Sequence, residues 1–193
     1  MKKQLILILS ICLSITSCDK ILDKASSLSK ENIKVEDLKV IRVNDNYSIS
    51  APDYMTEMKS LHDEASFRYA NIYKETYTIV IDEDKQEFID TFKEIEIYND
   101  SLTPLENYSD YQIKSIQESI EGSKINEVDF KIKNYPSKQY EFSGKVEGIN
   151  IAYLIGFVES DDTMYMMMSW TIDNRYKKYK NTFKLIQNSI KIK

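Results

Sequence analysis

Hydrophobic and polar residues alternate along several short segments of the chain, which is the pattern of strands that bury one face. The first two segments are 38–43 and 47–50, and turn residues at 44–46 join them, which predicts an opening hairpin. Alternation resumes farther along the chain and predicts two antiparallel strands at 65–73 and 76–82.

From Asp84 the hydrophobic spacing changes to three and four residues, which predicts amphipathic helices. Pro104 separates the first helix from a second one. For this second helix Asn107 or Ser109 is the candidate N-cap, and Gly122 is the stop signal. The middle of the chain is therefore predicted to be helical.

The second half of the chain returns to strand-like alternation before a final helix. Four strands are predicted, at 128–132, 140–146, 149–160 and 163–173. The third is apolar at both alternate sets of positions, which predicts a central strand covered on both faces. The closing helix follows from apolar residues spaced by three and four, with lysines on its other side: Tyr176, Tyr179, Phe183, Ile186 and Ile190.

The amino terminus has the pattern of a secretory signal. Lys2 and Lys3 precede an apolar run from Leu5 to Leu13, which is too short to span a bilayer because a spanning helix needs about 20 residues. The run ends on Ile15-Thr16-Ser17-Cys18, which resembles the lipobox of bacterial lipoproteins.

This resemblance implies that Cys18 carries a diacylglyceryl group and becomes the first mature residue. The chain then divides into a signal peptide at 1–17, a lipidated tether at 18–37 and one domain at 38–193. A flexible tether of about 16 residues spans roughly 20–24 Å. We expect a cell-envelope protein that its lipid holds on a bacterial membrane, facing either the periplasm or the cell surface. The alternative is a secreted protein with a free cysteine.

Composition narrows the possible functions. The formal net charge of −5 becomes −7 once Lys2 and Lys3 leave with the signal, so nucleic acid is an unfavourable partner. Cys12 also leaves with the signal and Cys18 is taken by lipid. The domain therefore has no cysteine for a disulfide, a thiol nucleophile or a metal site.

Two places could carry chemistry. His62, the single histidine, could act as a base beside Asp63 or Glu64. The favoured interpretation is a histidine in a surface loop. No Gly-x-Ser-x-Gly elbow, the motif of a serine nucleophile, occurs in the sequence. The run Asp82-Glu83-Asp84 could hold Ca²⁺. The same run could instead supply an N-cap, Asp82 or Asp84, to the helix that follows, and this interpretation is favoured.

Two further patterns each allow a functional and a structural interpretation. Met164, Met166 and Met168 share one strand face and could form a soft binding surface or a copper site, but packing under a helix is the favoured interpretation. The lysine-rich side of the closing helix could recruit an acidic partner, although such a face is usually only solvated.

The order of elements resembles the PsbP/Mog family. The segments that carry the resemblance are YSISAP at 47–52, SFRYANIYK and YTIVIDED in the paired strands, and YKKYKNTFKLIQNSIKI at 176–192. The resemblance implies an α+β fold, an α/β/α sandwich with a central antiparallel sheet and a long C-terminal helix. It implies no activity, because a fold does not determine function.

These observations predict a non-enzymatic lipoprotein without a cofactor, which either binds a protein partner or a small ligand of the envelope or has a structural, assembly or accessory role there. The competing hypothesis is a hydrolase or metal-dependent enzyme that uses His62 and the acids at 82–84.

Overall fold

The computed structural model describes residues 30–193, which form ten strands and three α-helices. The strands are β1 Leu38–Val43, β2 Tyr47–Pro52, β3 Thr56–Glu57, β4 Phe67–Asn71, β5 Thr76–Asp84, β6 Glu121–Val128, β7 Ser137–Val146, β8 Ile149–Glu159, β9 Thr163–Ile172 and β10 Lys191–Ile192. The helices are α1 Lys85–Glu94, α2 Pro104–Ser119 and α3 Asp173–Asn188.

The strands form two antiparallel sheets. The larger has seven strands in the order β3-β4-β5-β9-β8-β7-β6, and the smaller has three in the order β1-β2-β10. Helix α3 and the small sheet pack on one face of the large sheet, where Tyr47, Phe183 and Leu154 meet in one buried cluster. Helices α1 and α2 cover the other face, where Phe88 and Ile155 belong to a second cluster. The predicted α+β sandwich is therefore confirmed.

Strand β8 is covered on both faces, as its apolar sequence predicts. Leu154 and Val158 face α3, Ile155 and Phe157 face α1 and α2, and all four are fully buried. Burial of one such side chain contributes roughly 1.5–3 kcal/mol, so these two faces supply much of the core stability.

The two helices of the middle region begin at different signals. Asp84 caps α1, since its Oδ1 accepts a hydrogen bond from the backbone N–H of Glu87 at 2.8 Å. The prediction of Asn107 or Ser109 as the N-cap of α2 is wrong. Thr103 is the cap, and Pro104 occupies the first helical position, where its missing N–H costs nothing.

Other boundaries also differ from prediction. The strand predicted at 128–132 is wrong, because β6 ends at Val128 and pairs with β7 back to Glu121. Gly122 lies inside β6 with a φ of 64°, so it does not end α2, which stops at Ser119. Helix α3 ends at Asn188, before Ile190, and β10 then pairs with β2.

Candidate functional site

The lipid-attachment prediction concerns Cys18, which lies outside the described residues. Within residues 30–193 no helix is both long enough and apolar enough to cross a membrane.

His62 follows a short 3₁₀ turn at Lys59–Leu61. Its backbone carbonyl accepts a hydrogen bond from Arg68 at 2.9 Å, whereas its Nδ1 has no hydrogen-bond partner among residues 30–193. A catalytic histidine needs a partner that orients its ring, and neither Asp63 nor Glu64 makes such a bond to it here. Among residues 30–193, no hydrogen bond therefore pairs His62 with a catalytic partner.

Glu83 points to the opposite face of β5 from Asp82 and Asp84, because neighbouring side chains on a strand alternate between faces. Asp84 caps α1, and the Glu83 carboxylate accepts a hydrogen bond from the Tyr108 hydroxyl of α2. Burial, and secondarily the Glu83 charge, raises the pKa of Tyr108, which keeps this phenol protonated as a donor. In the described part of the chain, no three acidic, histidine or cysteine side chains group closely enough to hold a metal ion.

The methionine stripe is part of the core. Met164 and Met166 are buried in the same cluster as Phe88 of α1 and Tyr108 of α2, and Met168 packs at its edge. The interpretation of packing under a helix is therefore confirmed.

A groove between α1 and α2 has an apolar floor formed by Phe92, Ile97, Leu102 and Tyr111. Its cavity measures about 380 Å³, within the usual range for ligand sites. We call it the α1–α2 groove. It is lined by residues from both helices and from the segment that joins them: Phe92, Ile97, Asn99, Leu102, Asn107, Asp110, Tyr111, Lys114, Ser115 and Glu118.

The apolar floor continues onto the protein surface. The rings of Phe92 and Tyr111 meet edge to face with centroids 4.7 Å apart. Tyr111 is nevertheless 46% exposed and Ile97 43% exposed, and the neighbouring Ile95 is exposed as well. On α2, Asp110, Lys114 and Glu118 recur every four residues and so place alternating charges along the groove.

The connecting segment is held in place by the buried side chain of Asn107. Its Oδ1 accepts a hydrogen bond from the Asn99 backbone N–H at 2.8 Å. Its Nδ2 donates to the carbonyls of Asn99 at 3.0 Å and Thr103 at 3.1 Å. One amide therefore satisfies several backbone groups of the segment, and the groove is preformed.

A larger opening of about 510 Å³ lies at the seam between the two sheets, beside β1 and β3. Its lining includes the carboxylates of Asp53 and Glu57, and Val40 is its one strongly exposed large apolar side chain. The α1–α2 groove presents more apolar surface to a partner and is the stronger candidate for binding.

A second feature lies within the segment predicted as a tether. The side chain of Glu31 is only 12% exposed, and its carboxylate accepts hydrogen bonds from three groups. These donors are Tyr54 Oη at 2.8 Å, Lys74 Nζ at 2.8 Å and Thr182 Oγ1 at 2.6 Å. We call this arrangement the Glu31 latch. Glu31 belongs to the predicted tether, 13 residues after Cys18, and it is already bound to the domain.

The electrostatics of the latch favour the ionised carboxylate. Burial alone would raise the pKa of Glu31, but the bonds from Lys74, Thr182 and Tyr54 outweigh it, and the pKa falls below its usual 4.5. The Lys74 ammonium also lies 4.1 Å from the centre of the Tyr54 ring, a cation–π contact.

Sequence reasoning identified neither feature. The groove had one signal, an unusual density of apolar residues at 95, 97 and 98 directly before the Asn99–Thr103 turn. Glu31 had no signal, because it stands among polar residues.

Comparisons with family models and with curated proteins found no match for this chain. Solved structures do resemble it. Cyanobacterial PsbP (CyanoP) from Synechocystis sp. PCC 6803 has a TM-score of 0.51 at 10% identity, over 86% of this chain and 98% of that one. At such low identity the likeness concerns the fold alone, and it shows that the fold is PsbP-like.

Two further structures resemble the chain more weakly. PA94 of Pseudomonas aeruginosa, a protein of unknown function, has a TM-score of 0.48 at 12% identity, over 79% of this chain and 94% of that one. LpqN, involved in cell envelope biogenesis of Mycobacterium tuberculosis, has a TM-score of 0.42 at 10% identity, over 80% and 82% of the two chains.

Proposed function

We propose that the protein is a lipid-anchored accessory protein of a bacterial cell envelope, which binds another envelope protein through the α1–α2 groove and catalyses no reaction. The observation that carries the proposal is the preformed groove with exposed Ile97 and Tyr111 above an apolar floor. Exposed apolar surface of this kind is typical of a protein contact.

The charges along the groove describe the partner. We propose that an apolar side chain of the partner packs against the paired rings of Phe92 and Tyr111, while polar groups on either side of it meet Asp110, Lys114 and Glu118. Such a contact needs no reactive group. This agrees with the structural uses of Glu83 and Asp84, which bind Tyr108 and cap α1.

Cross-linking tests the groove. A photoreactive amino acid at Tyr111 of the full chain, expressed in the bacterium that produces it, should yield one specific protein adduct. The same reagent at Val40, which is also exposed, should not yield that adduct. The substitution Ile97→Asp should abolish the adduct at 111 without changing the melting temperature, since Ile97 is partly exposed. The proposal fails if 40 and 111 give the same adduct, or if Ile97→Asp has no effect.

The anchor is tested separately. Wild-type protein should incorporate labelled fatty acid and sediment with membranes, whereas Cys18→Ala should incorporate none. Recovery of unacylated wild-type protein in the culture medium would contradict the anchor.

A further inference from the structure

Three strongly exposed apolar side chains lie at the same end of the seven-stranded sheet. Ile72 and Tyr73, in the β4–β5 turn, are 56% and 88% exposed, and Ile149, at the start of β8, is 56% exposed. The register places these positions together. The pair Asn71 and Thr76 closes one hairpin, and the pair Val146 and Ile149 closes another.

Helix α3 begins at this same end, since Ile151 at the start of β8 pairs with Ile172 at the end of β9. Arg175 in its first turn forms an ion pair with Glu75 at 3.1 Å. It also donates to the Lys74 carbonyl at 3.4 Å, so the β4–β5 turn and α3 form one surface. We call this surface the anchor end.

The Glu31 latch fixes where the amino-terminal segment meets the domain. The Glu31 backbone N–H donates to the carbonyl of Lys178 in α3 at 3.0 Å, and its carboxylate binds Lys74, which directly follows Tyr73. Cys18 precedes Glu31 by 13 residues. A chain of that length reaches roughly 45 Å when fully extended and about 20 Å as a flexible coil, so a lipid on Cys18 keeps the anchor end close to the bilayer.

The anchor end presents two lysines to an anionic surface although the protein as a whole is acidic. Lys177 and Lys178 form no ion pair with any other residue of the 30–193 region. The acids of this end include Glu75 and Glu31, which are paired with Arg175 and Lys74, together with Glu121, Glu147 and Asp173. Lys177 and Lys178 are therefore available to bind lipid phosphates.

We propose that the anchor end docks on the lipid bilayer, with Ile72, Tyr73 and Ile149 in the head-group region and Lys177 and Lys178 toward anionic phosphates. Tyrosine favours this interface because its ring is apolar and its hydroxyl is wet. The proposal rests on the lipid anchor at Cys18. Since the anchor already holds the domain near the membrane, weak contacts suffice for docking.

Site-specific fluorescence tests the docking. The acylated full-length protein is reconstituted in vesicles of phosphatidylcholine and phosphatidylglycerol, with an environment-sensitive dye on Tyr73→Cys. The matched control carries the dye on Asp161→Cys, an exposed position in the β8–β9 turn at the opposite end of the sheet. Labelling is selective because the domain contains no other cysteine. We expect lipid-borne quenchers to act several-fold more strongly on the dye at 73 than on the dye at 161.

A second variant tests the charges. Lys177→Glu with Lys178→Glu should reduce quenching at 73, as should vesicles that lack phosphatidylglycerol, with no change in the melting temperature. Equal quenching at 73 and 161 on acylated, vesicle-bound protein would overturn the docking and leave the anchor intact. The docking proposal would also be overturned if the dye at 73 became shielded only after an envelope protein was added. Loss of acylation and of vesicle binding would instead contradict the proposed function.

Discussion

The two faces of the seven-stranded sheet are built in different ways. The face under α3 contains a buried network of polar side chains, whereas the face under α1 and α2 is packed with methionine and aromatic side chains. Hydrogen bonds require one geometry, while methionine adapts to several. From this comparison we infer that the α3 face fixes the fold and the attachment of the chain, while the helices that cover the other face carry the binding groove.

On the α3 face the network is centred on Gln187. Its Nε2 donates to the carbonyl of Leu154 at 2.9 Å and to Ser169 Oγ at 3.2 Å, and its Oε1 accepts from Gln139 Nε2 at 2.8 Å. Gly156 lies directly beneath this amide, because a Cβ at that position would be 2.6 Å from Gln187 Oε1. The helix can approach the strand this closely only at a glycine.

The largest effect is expected from Gly156→Ala, which should break the network. Overpacking and the loss of buried hydrogen bonds should together lower the free energy of unfolding by about 3 kcal/mol, more than the roughly 0.4–1 kcal/mol that alanine gains by restricting the unfolded chain. Urea unfolding measures this change. In a Gln187→Ala background the same substitution should cost less than half as much. Equal costs in both backgrounds would show that the close approach to Gln187 is not the cause.

The Glu31 latch should have the next largest effect, and it depends on pH. The folded pKa of Glu31 lies below its usual 4.5, so its stabilisation is complete above that pH and is lost as the pH falls through the folded value. We expect Glu31→Gln to destabilise the protein by about 2 kcal/mol at pH 7, since charge-assisted bonds are lost. Melting temperatures of the two proteins should converge as the pH falls from 7 through the lowered pKa of Glu31.

A matched control for the latch is Glu36→Gln. Glu36 is exposed and forms an ion pair with Lys34 at 3.6 Å, so its loss should cost about 0.5 kcal/mol or less. If both variants lost equal stability, the latch would be no stronger than a surface ion pair.

Two adjacent methionines, one on each face of the sheet, test the same comparison with a smaller expected change in stability. Met166 faces α1 and α2, while Met167 faces Gly156 and Gln187. Replacement by leucine conserves volume, so Met166→Leu should cost about 0.5 kcal/mol and Met167→Leu about 1.5 kcal/mol. Denaturant midpoints measure both. The reverse order would show that the α3 face is the more adaptable one.

Sequence-based prediction was most accurate for the strands whose side chains are buried in a regular pattern. Strand β2 shows clear alternation, because Tyr47, Ile49 and Ala51 are buried while the serines between them are less buried. In β9 the even-numbered positions from 164 face α1 and α2 and the odd-numbered positions face α3, as their pattern predicts. Edge strand β6 shows no such pattern, because most of its residues remain exposed.

The candidate sites were less predictable because they depend on contacts between distant segments. Asn107 resembles a helix N-cap when only local sequence is considered, yet it sits inside α2 and binds the segment before it. Likewise, Glu31 becomes a buried ion only through Tyr54, Lys74 and Thr182, which come from three other parts of the chain. The local sequence pattern contains no information about contacts between such distant segments.

The smallest effect is expected from metal ions, which test the competing enzyme hypothesis. Millimolar Ca²⁺ or Zn²⁺ should leave the melting temperature unchanged, because Glu83 is bound to Tyr108 and Asp84 caps α1. Asp84→Asn is the matched variant, since asparagine caps a helix as well as aspartate but carries no charge. A rise in melting temperature that depends on metal concentration and disappears in Asp84→Asn would place a cation at 82–84. The face under α1 and α2 would then have a chemical role beyond binding, and the contrast between the two faces would need a different explanation.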